Sequence, residues 1–151
     1  MDYDFAKNVV SLEKIVQNRN NLLKKKAMNG IDSKELNDYY NNVIKESFKH
    51  LTFLQKYIAE EFLGDTVIDC FALGMQASKL CLYGRAPDEI EIIYAGNLAH
   101  ILAELSAKHE IYKYMREWDV YSLTILGEDL SNKWFRKGIF YGEKQRKLRL
   151  I

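Results

Sequence analysis

His100 and Glu104 stand four residues apart in "NLAHILAELSAKHE", and on a helix that spacing turns both side chains to one face. An imidazole and a carboxylate so placed can hold a metal ion, but a stable site needs three or four protein ligands. His109 lies five residues beyond Glu104, which turns it to another face, and no Glu-x-x-His pair occurs twice, as a two-metal helical bundle requires. The pair is therefore read as a surface hydrogen bond. His100 and Glu104 stay as the weak metal candidates of the chain, and no metal or other cofactor is expected. Asp69 lies in the most apolar stretch, "VIDCFALGMQASKLCLYG". A buried carboxylate there could move protons. In the first turn of a helix, or beside a C-terminal Lys or Arg, it would instead be a structural acid, and that is the expectation.

Cys70 and Cys81 are the two cysteines of the chain. Eleven residues of helix would hold them ~16 Å apart, too far for a disulfide, which needs Cα atoms within about 7 Å. Both are read as reduced core residues, and Cys70 follows an acid, a poor setting for a reactive thiolate. Neither "LGMQASKL" nor "YGRAPDE" fits a phosphate-binding glycine loop, and nothing resembles a Ser-His-Asp arrangement. The chain is expected not to be an enzyme.

The remaining chemistry is charge. The net charge is only +1, but it is distributed unevenly: +3 over residues 1–59, −8 over 60–132 and +6 over 133–151. Arg136, Lys137, Lys144, Arg146, Lys147 and Arg149 concentrate the positive end. Three readings compete for them. They fold back on the acidic middle; they dock a protein, helped by Leu148, Leu150 and Ile151; or they neutralise phosphates of a nucleic acid. The near-zero total charge counts against nucleic acid as the main partner.

The elements that must position these groups are helical. One proline in 151 residues favours long helices over turn-rich β structure. Val9, Leu12, Ile15 and Val16, extended by Leu22 and Leu23, form a helical stripe that Asn29-Gly30 stops. Asp32, with Glu35 three residues on, starts a second helix predicted over 33–63, with room for a kink or break inside it. Gly64 is expected to end it and Asp65 to cap the next, apolar on nearly every side and so central to the bundle. That central helix, 66–83, should end at Gly84. Acids after Pro87 open another helix, with a bend or split at Gly96-Asn97. Asp119 is expected to cap the last one, closed by Gly138 or Gly142. Tyr39, Tyr40 and Tyr57, and Tyr112, Tyr114 and Tyr121, are read as core-boundary residues; Tyr112 and Tyr114 also flank Lys113 and Arg116. The fold class is all-α: one domain over 1–151, a bundle of five or six helices, with 142–151 as a basic tail. No apolar run reaches the ~18 residues of a membrane span, and "MDYDFAKNVV" lacks the basic start of a signal peptide. With two reduced cysteines, these features point to the cytoplasm.

Two stretches carry a resemblance. "KWFRKGIFYGEKQRKLRLI" looks like the end of an uncharacterised family of small cytosolic proteins from Bacillus-type bacteria, catalogued as a domain of unknown function. "VIDCFALGMQASKLCLYG" is similar to the central segment of that family. The resemblance covers about residues 50–151. It implies a helical fold in a bacterial cytosol and brings no catalytic residue with it.

The functional expectation is a non-enzymatic helical adaptor or regulator that binds a macromolecular partner, in part through the basic C-terminal segment, with Trp134 and Phe140 anchoring that segment. A nucleic-acid binder using the same cations is the first alternative. A small metal-binding or enzymatic protein built around Asp69, His100 and Glu104 is the second. Partner identity and oligomeric state are not encoded in any motif.

Overall fold

The computed structural model describes residues 21–151, and the predicted stripe at Val9, Leu12, Ile15 and Val16 lies outside them. Among the described residues there are helices and no strands. The first, α1, is helical over 21–30. Asp32 then caps α2 (Ser33–Tyr39), its carboxylate accepting from the Lys34 and Glu35 amides at 3.0 and 3.4 Å. A π turn (Tyr40–Ile44) and the short α3 (Lys45–Ser47) follow without interruption.

The long helix predicted over 33–63 breaks at residues 48–52, not at Gly64. Thr52 Oγ1 accepts from the Gln55 amide at 3.2 Å, and Gln55 Oε1 accepts from the Thr52 amide at 3.1 Å. This reciprocal pair opens α4 (Phe53–Ala77) and satisfies two amides that a helix start would otherwise leave bare. The apolar residues that continue across the break hide it from a periodicity count. Gly64 and Asp65 therefore lie inside α4 and neither stop nor cap a helix. The apolar segment 66–83 is the second half of α4 plus a 3-10 turn (Ser78–Tyr83), ended by Gly84 in the left-handed region at φ 84°.

Pro87 opens α5 (Pro87–Lys108), which passes through Gly96-Asn97 unbroken. The short α6 (Ile111–Tyr114) turns the chain into α7 (Glu117–Lys147). Asp119 does not cap α7: the cap position is Arg116, and Asp119 lies buried in the first turn, bonded to His50 at 2.6 Å. Nor does Gly138 or Gly142 end α7, and what looked like a tail from 142 is helical through Lys147.

Those two glycines instead let α7 press against α4. Side chains at Gly138 and Gly142 would run into the backbone at Phe71 and at Met75, and one at Gly74 would run into the Phe135 carbonyl. Only hydrogen fits there, so the backbones touch. Pairing Phe62 with Gly127, Gly74 with Gly138 and Met75 with Gly142 makes α4 and α7 parallel. α5 runs back antiparallel to both and packs against them, with Tyr94 beside Phe135 and Leu102 beside Gly127. Phe71, Met75, Leu123, Leu130, Trp134 and Phe135 fill the centre. The result is an all-α single-domain bundle organised around α4 and α7.

Candidate functional site

The parallel α4–α7 pair has two ends. At the C-terminal end the fold brings the predicted cations to the structure's own acids and carbonyls. Arg136 Nη1 lies 2.9 Å from Asp88 and 3.2 Å from Glu91 of α5, with its guanidinium over the Phe140 ring. Lys137 reaches Glu35 of α2 at 2.9 Å and lies over Trp134; Lys133 joins the same carboxylate at 3.4 Å. The Lys137 and Lys133 ammonium groups hold the Glu35 carboxyl below the usual carboxylate range. Arg146 folds back to donate to Ser78 Oγ at 2.8 Å and to the Met75 carbonyl at 3.2 Å. It thus serves a carbonyl in the last turn of α4, where a cation also meets the negative end of the helix dipole. Lys147 pairs with Glu143 one turn back at 3.2 Å. Lys144 and Arg149 make no ion pair among the described residues. Of the two expected anchors, Trp134 is buried and Phe140 is half exposed.

The other sequence candidates also fall into structural roles. His100 and Glu104 bond each other at 2.9 Å on the exposed side of α5, and no group of three metal-ligating side chains gathers among the described residues. Asp69 is well inside α4, not in a first turn, and its partner is Lys24 of α1 at 3.1 Å, not a C-terminal cation. Burial, with Asp69 adding to it, pushes the Cys70 thiol up to about 12. Burial also raises Cys81. His109 and Lys108 meet Asp65 at 2.8 and 3.3 Å and fasten the end of α5 to α4.

The N-terminal end is different. His50 to Asp119, and Gln55 Nε2 to the Tyr114 carbonyl at 2.9 Å, bring the starts of α4 and α7 and the whole of α6 together. Here Phe53 is 89 % exposed, Tyr112 76 % and Trp118 75 %, with Tyr57 and Tyr121 more than half exposed. Trp118 and Tyr121 lie with ring centroids 6.0 Å apart. Reading the tyrosines as core boundary missed this surface. A signal was present: Trp118, Tyr121 and Ile125 recur at i, i+3 and i+7, a second apolar stripe on α7 opposite the one formed by Val120, Leu123, Gly127, Leu130 and Trp134.

A third feature had no counterpart in the sequence reading. A cleft of about 380 Å³ opens between α2, the π turn and the middle of α4. At its mouth Tyr40 donates to Glu60 at 2.9 Å, and beside it Tyr39 donates to Asp129 at the same distance. Both phenols are pushed above their ordinary range, Tyr39 chiefly by burial and Tyr40 by the Glu60 carboxylate.

None of the described helices is long and apolar enough to cross a membrane. One protein family, described as "Protein of unknown function (DUF2521)", matches residues 6–151. No curated protein and no solved structure matches the chain.

Proposed function

Because the chain belongs to the DUF2521 family, whose function is unknown, we propose a role from its own surfaces: a non-enzymatic helical adaptor or regulator that binds a protein partner. The observation that carries this reading is the aromatic end. Monomeric surfaces rarely leave Phe, Trp and Tyr side chains together in water, and these residue types dominate the energetic centres of protein interfaces. The site is preorganised, since the two hydrogen bonds that join the helix starts hold its backbone in place.

The basic C-terminal segment enters this reading through Lys144 and Arg149, which make no ion pair among the described residues and are flanked by exposed Leu148 and Leu150. Rim charges of that kind steer association more than they hold it. The same accounting weakens the nucleic-acid reading, because Arg136, Lys137, Arg146 and Lys147 already have partners within the chain. The setting we propose is the bacterial cytoplasm, as the resemblance of the C-terminal and central stretches implies.

The test is an affinity capture from the native cell, run in parallel with wild-type chain, Trp118→Ala and the double variant Lys144→Glu/Arg149→Glu. A protein retained at high salt and after nuclease, lost with Trp118→Ala and captured more slowly by the charge variant, is the expected result. A partner removed by nuclease, or one indifferent to Trp118→Ala, overturns the reading.

A further inference from the structure

Gly64 presents a physical problem that the fold does not explain. It lies in the middle of a 25-residue helix, where glycine costs about 1 kcal/mol relative to alanine. Gly74, Gly138 and Gly142 justify themselves by backbone contact, but a side chain at Gly64 would meet nothing within 4 Å, and its backbone is ordinary helix. What the missing side chain does is leave the mouth of the cleft open, since Gly64 is one of its lining residues. The facing wall breaks a local rule too. The chain from Tyr40 to Ile44 is wound as a π turn, a rare conformation that recurs at functional sites. Two departures from helix-forming preference therefore meet at one cavity. Gly96 also faces open space, but the depression it borders has no such opposite wall.

The lining fixes the chemistry of an occupant. Leu63, Val67 and Leu130, each at most 3 % exposed, form the floor, and the volume is within the roughly 300–1,000 Å³ of small-molecule sites. The lining contains one charged residue, Glu60, and no Lys or Arg. Its carboxylate takes one hydrogen bond from Tyr40 and has lone pairs to spare. Asp129, held by Tyr39, adds a second negative charge nearby. Lys133 lies over the ring of Tyr39 but is paired with Glu35, so a carboxylate or phosphate head would meet the Glu60 charge and, among the described lining residues, no Lys or Arg.

We propose that this cleft is a binding site for an amphiphilic amine, with its apolar body over Leu63 and Val67 and its ammonium head at Glu60. The inference is independent of the adaptor reading, which concerns the other face of the molecule's chemistry.

The test titrates the ¹⁵N-labelled full chain with octylamine, octanol and octanoate at neutral pH, following amide shifts. Octylammonium should perturb Gly64 and Ile44 and bind roughly fivefold more tightly than octanoate, the range expected of an exposed charge pair. Glu60→Gln should bring the amine down to the affinity of octanol. Gly64→Leu should abolish binding by filling the mouth, and Gly64→Ala, which only improves helix propensity, should retain the fold and show that Gly64→Leu fails through occupancy. Octanoate binding as tightly as octylamine, unaltered binding by Gly64→Leu, shifts confined to Phe53 and Trp118, or no saturable binding of any of the three each overturns the proposal.

Discussion

At the C-terminal ends of α4 and α7 the charged side chains are drawn into the fold, whereas at the N-terminal ends the aromatic side chains are left outside it. Arg136, Lys137 and Arg146 direct their donors to Asp88, Glu91, Glu35, the Ser78 hydroxyl and the Met75 carbonyl near the end of α4. Phe53, Tyr112 and Trp118 remain at least three-quarters exposed. The difference teaches that residue type is a weak guide to availability. A cluster of cations looks like a binding site in the sequence, but a cation sits on a long flexible stem, and acids on neighbouring helices, Asp88, Glu91 and Glu35, satisfy Arg136 and Lys137 here. An aromatic ring is satisfied only by being covered, and the exposed rings of Phe53, Tyr112 and Trp118 leave apolar area in water.

Four measurements would break or sharpen this contrast. The largest effect is expected at the crossing that makes the C-terminal end tight. Gly138→Ala forces a methyl into the Phe71 carbonyl and should lower stability by about 2–3 kcal/mol, the range of an overpacked core, read as a shift of the denaturation midpoint. A neutral result would mean that the helices separate easily and that the cations above them are less committed than their distances indicate. Next is the aromatic end. Trp118→Ala should leave the denaturation midpoint almost unchanged, as exposed substitutions do, while weakening partner binding by about 2 kcal/mol, the size of an interface hot spot. A large loss of stability instead would place Trp118 in the core economy of the fold.

Arg146→Ala removes two donors from the end of α4 and should cost about 1.5 kcal/mol, as for hydrogen bonds from a charged group. Lys144→Ala and Arg149→Ala should each stay within about 0.5 kcal/mol of wild type. If all three behave alike, the division of the basic segment into engaged and disengaged cations fails. The smallest effect concerns pH. The folded state depresses the Glu35 carboxyl through Lys137 and Lys133. The stabilisation is therefore present in full above the unfolded carboxylate range and is lost as pH falls through the lowered folded value. The stability difference between wild type and Glu35→Gln should be under about 1 kcal/mol at pH 7 and should close on acidification. A difference that grows in acid would contradict the assignment of these ion pairs.

The helices around α4 were readable because burying an apolar stripe is a local property of spacing. Asp32 as a cap, the acids after Pro87 and the stop at Gly84 were readable for the same reason: each acts within one turn. Boundaries went wrong where one residue type has two uses. Gly64, Gly138 and Gly142 look like helix stops, yet one borders a cleft and two admit a neighbouring backbone. Thr52 with Gln55 is a start signal in plain view, masked by the apolar rhythm that runs across it. Asp69 looked like an N-terminal acid only because the helix start had been placed thirteen residues too late.

By itself, the order of residues determined the all-α class, that the apolar stretch from Thr66 to Ser78 is mostly buried, and that acids and bases separate into a negative middle and a positive end. Those properties follow from composition and from spacings of three and four residues, which require no knowledge of what lies opposite. Only the tertiary structure decided which glycines touch backbone, which cations find acids, which rings stay uncovered, and that Gly64 and the π turn face one cavity. Each of these depends on pairs separated by dozens of residues, such as Gly74 with Gly138 or Arg146 with Ser78, and such pairs acquire a distance only when the helices pack.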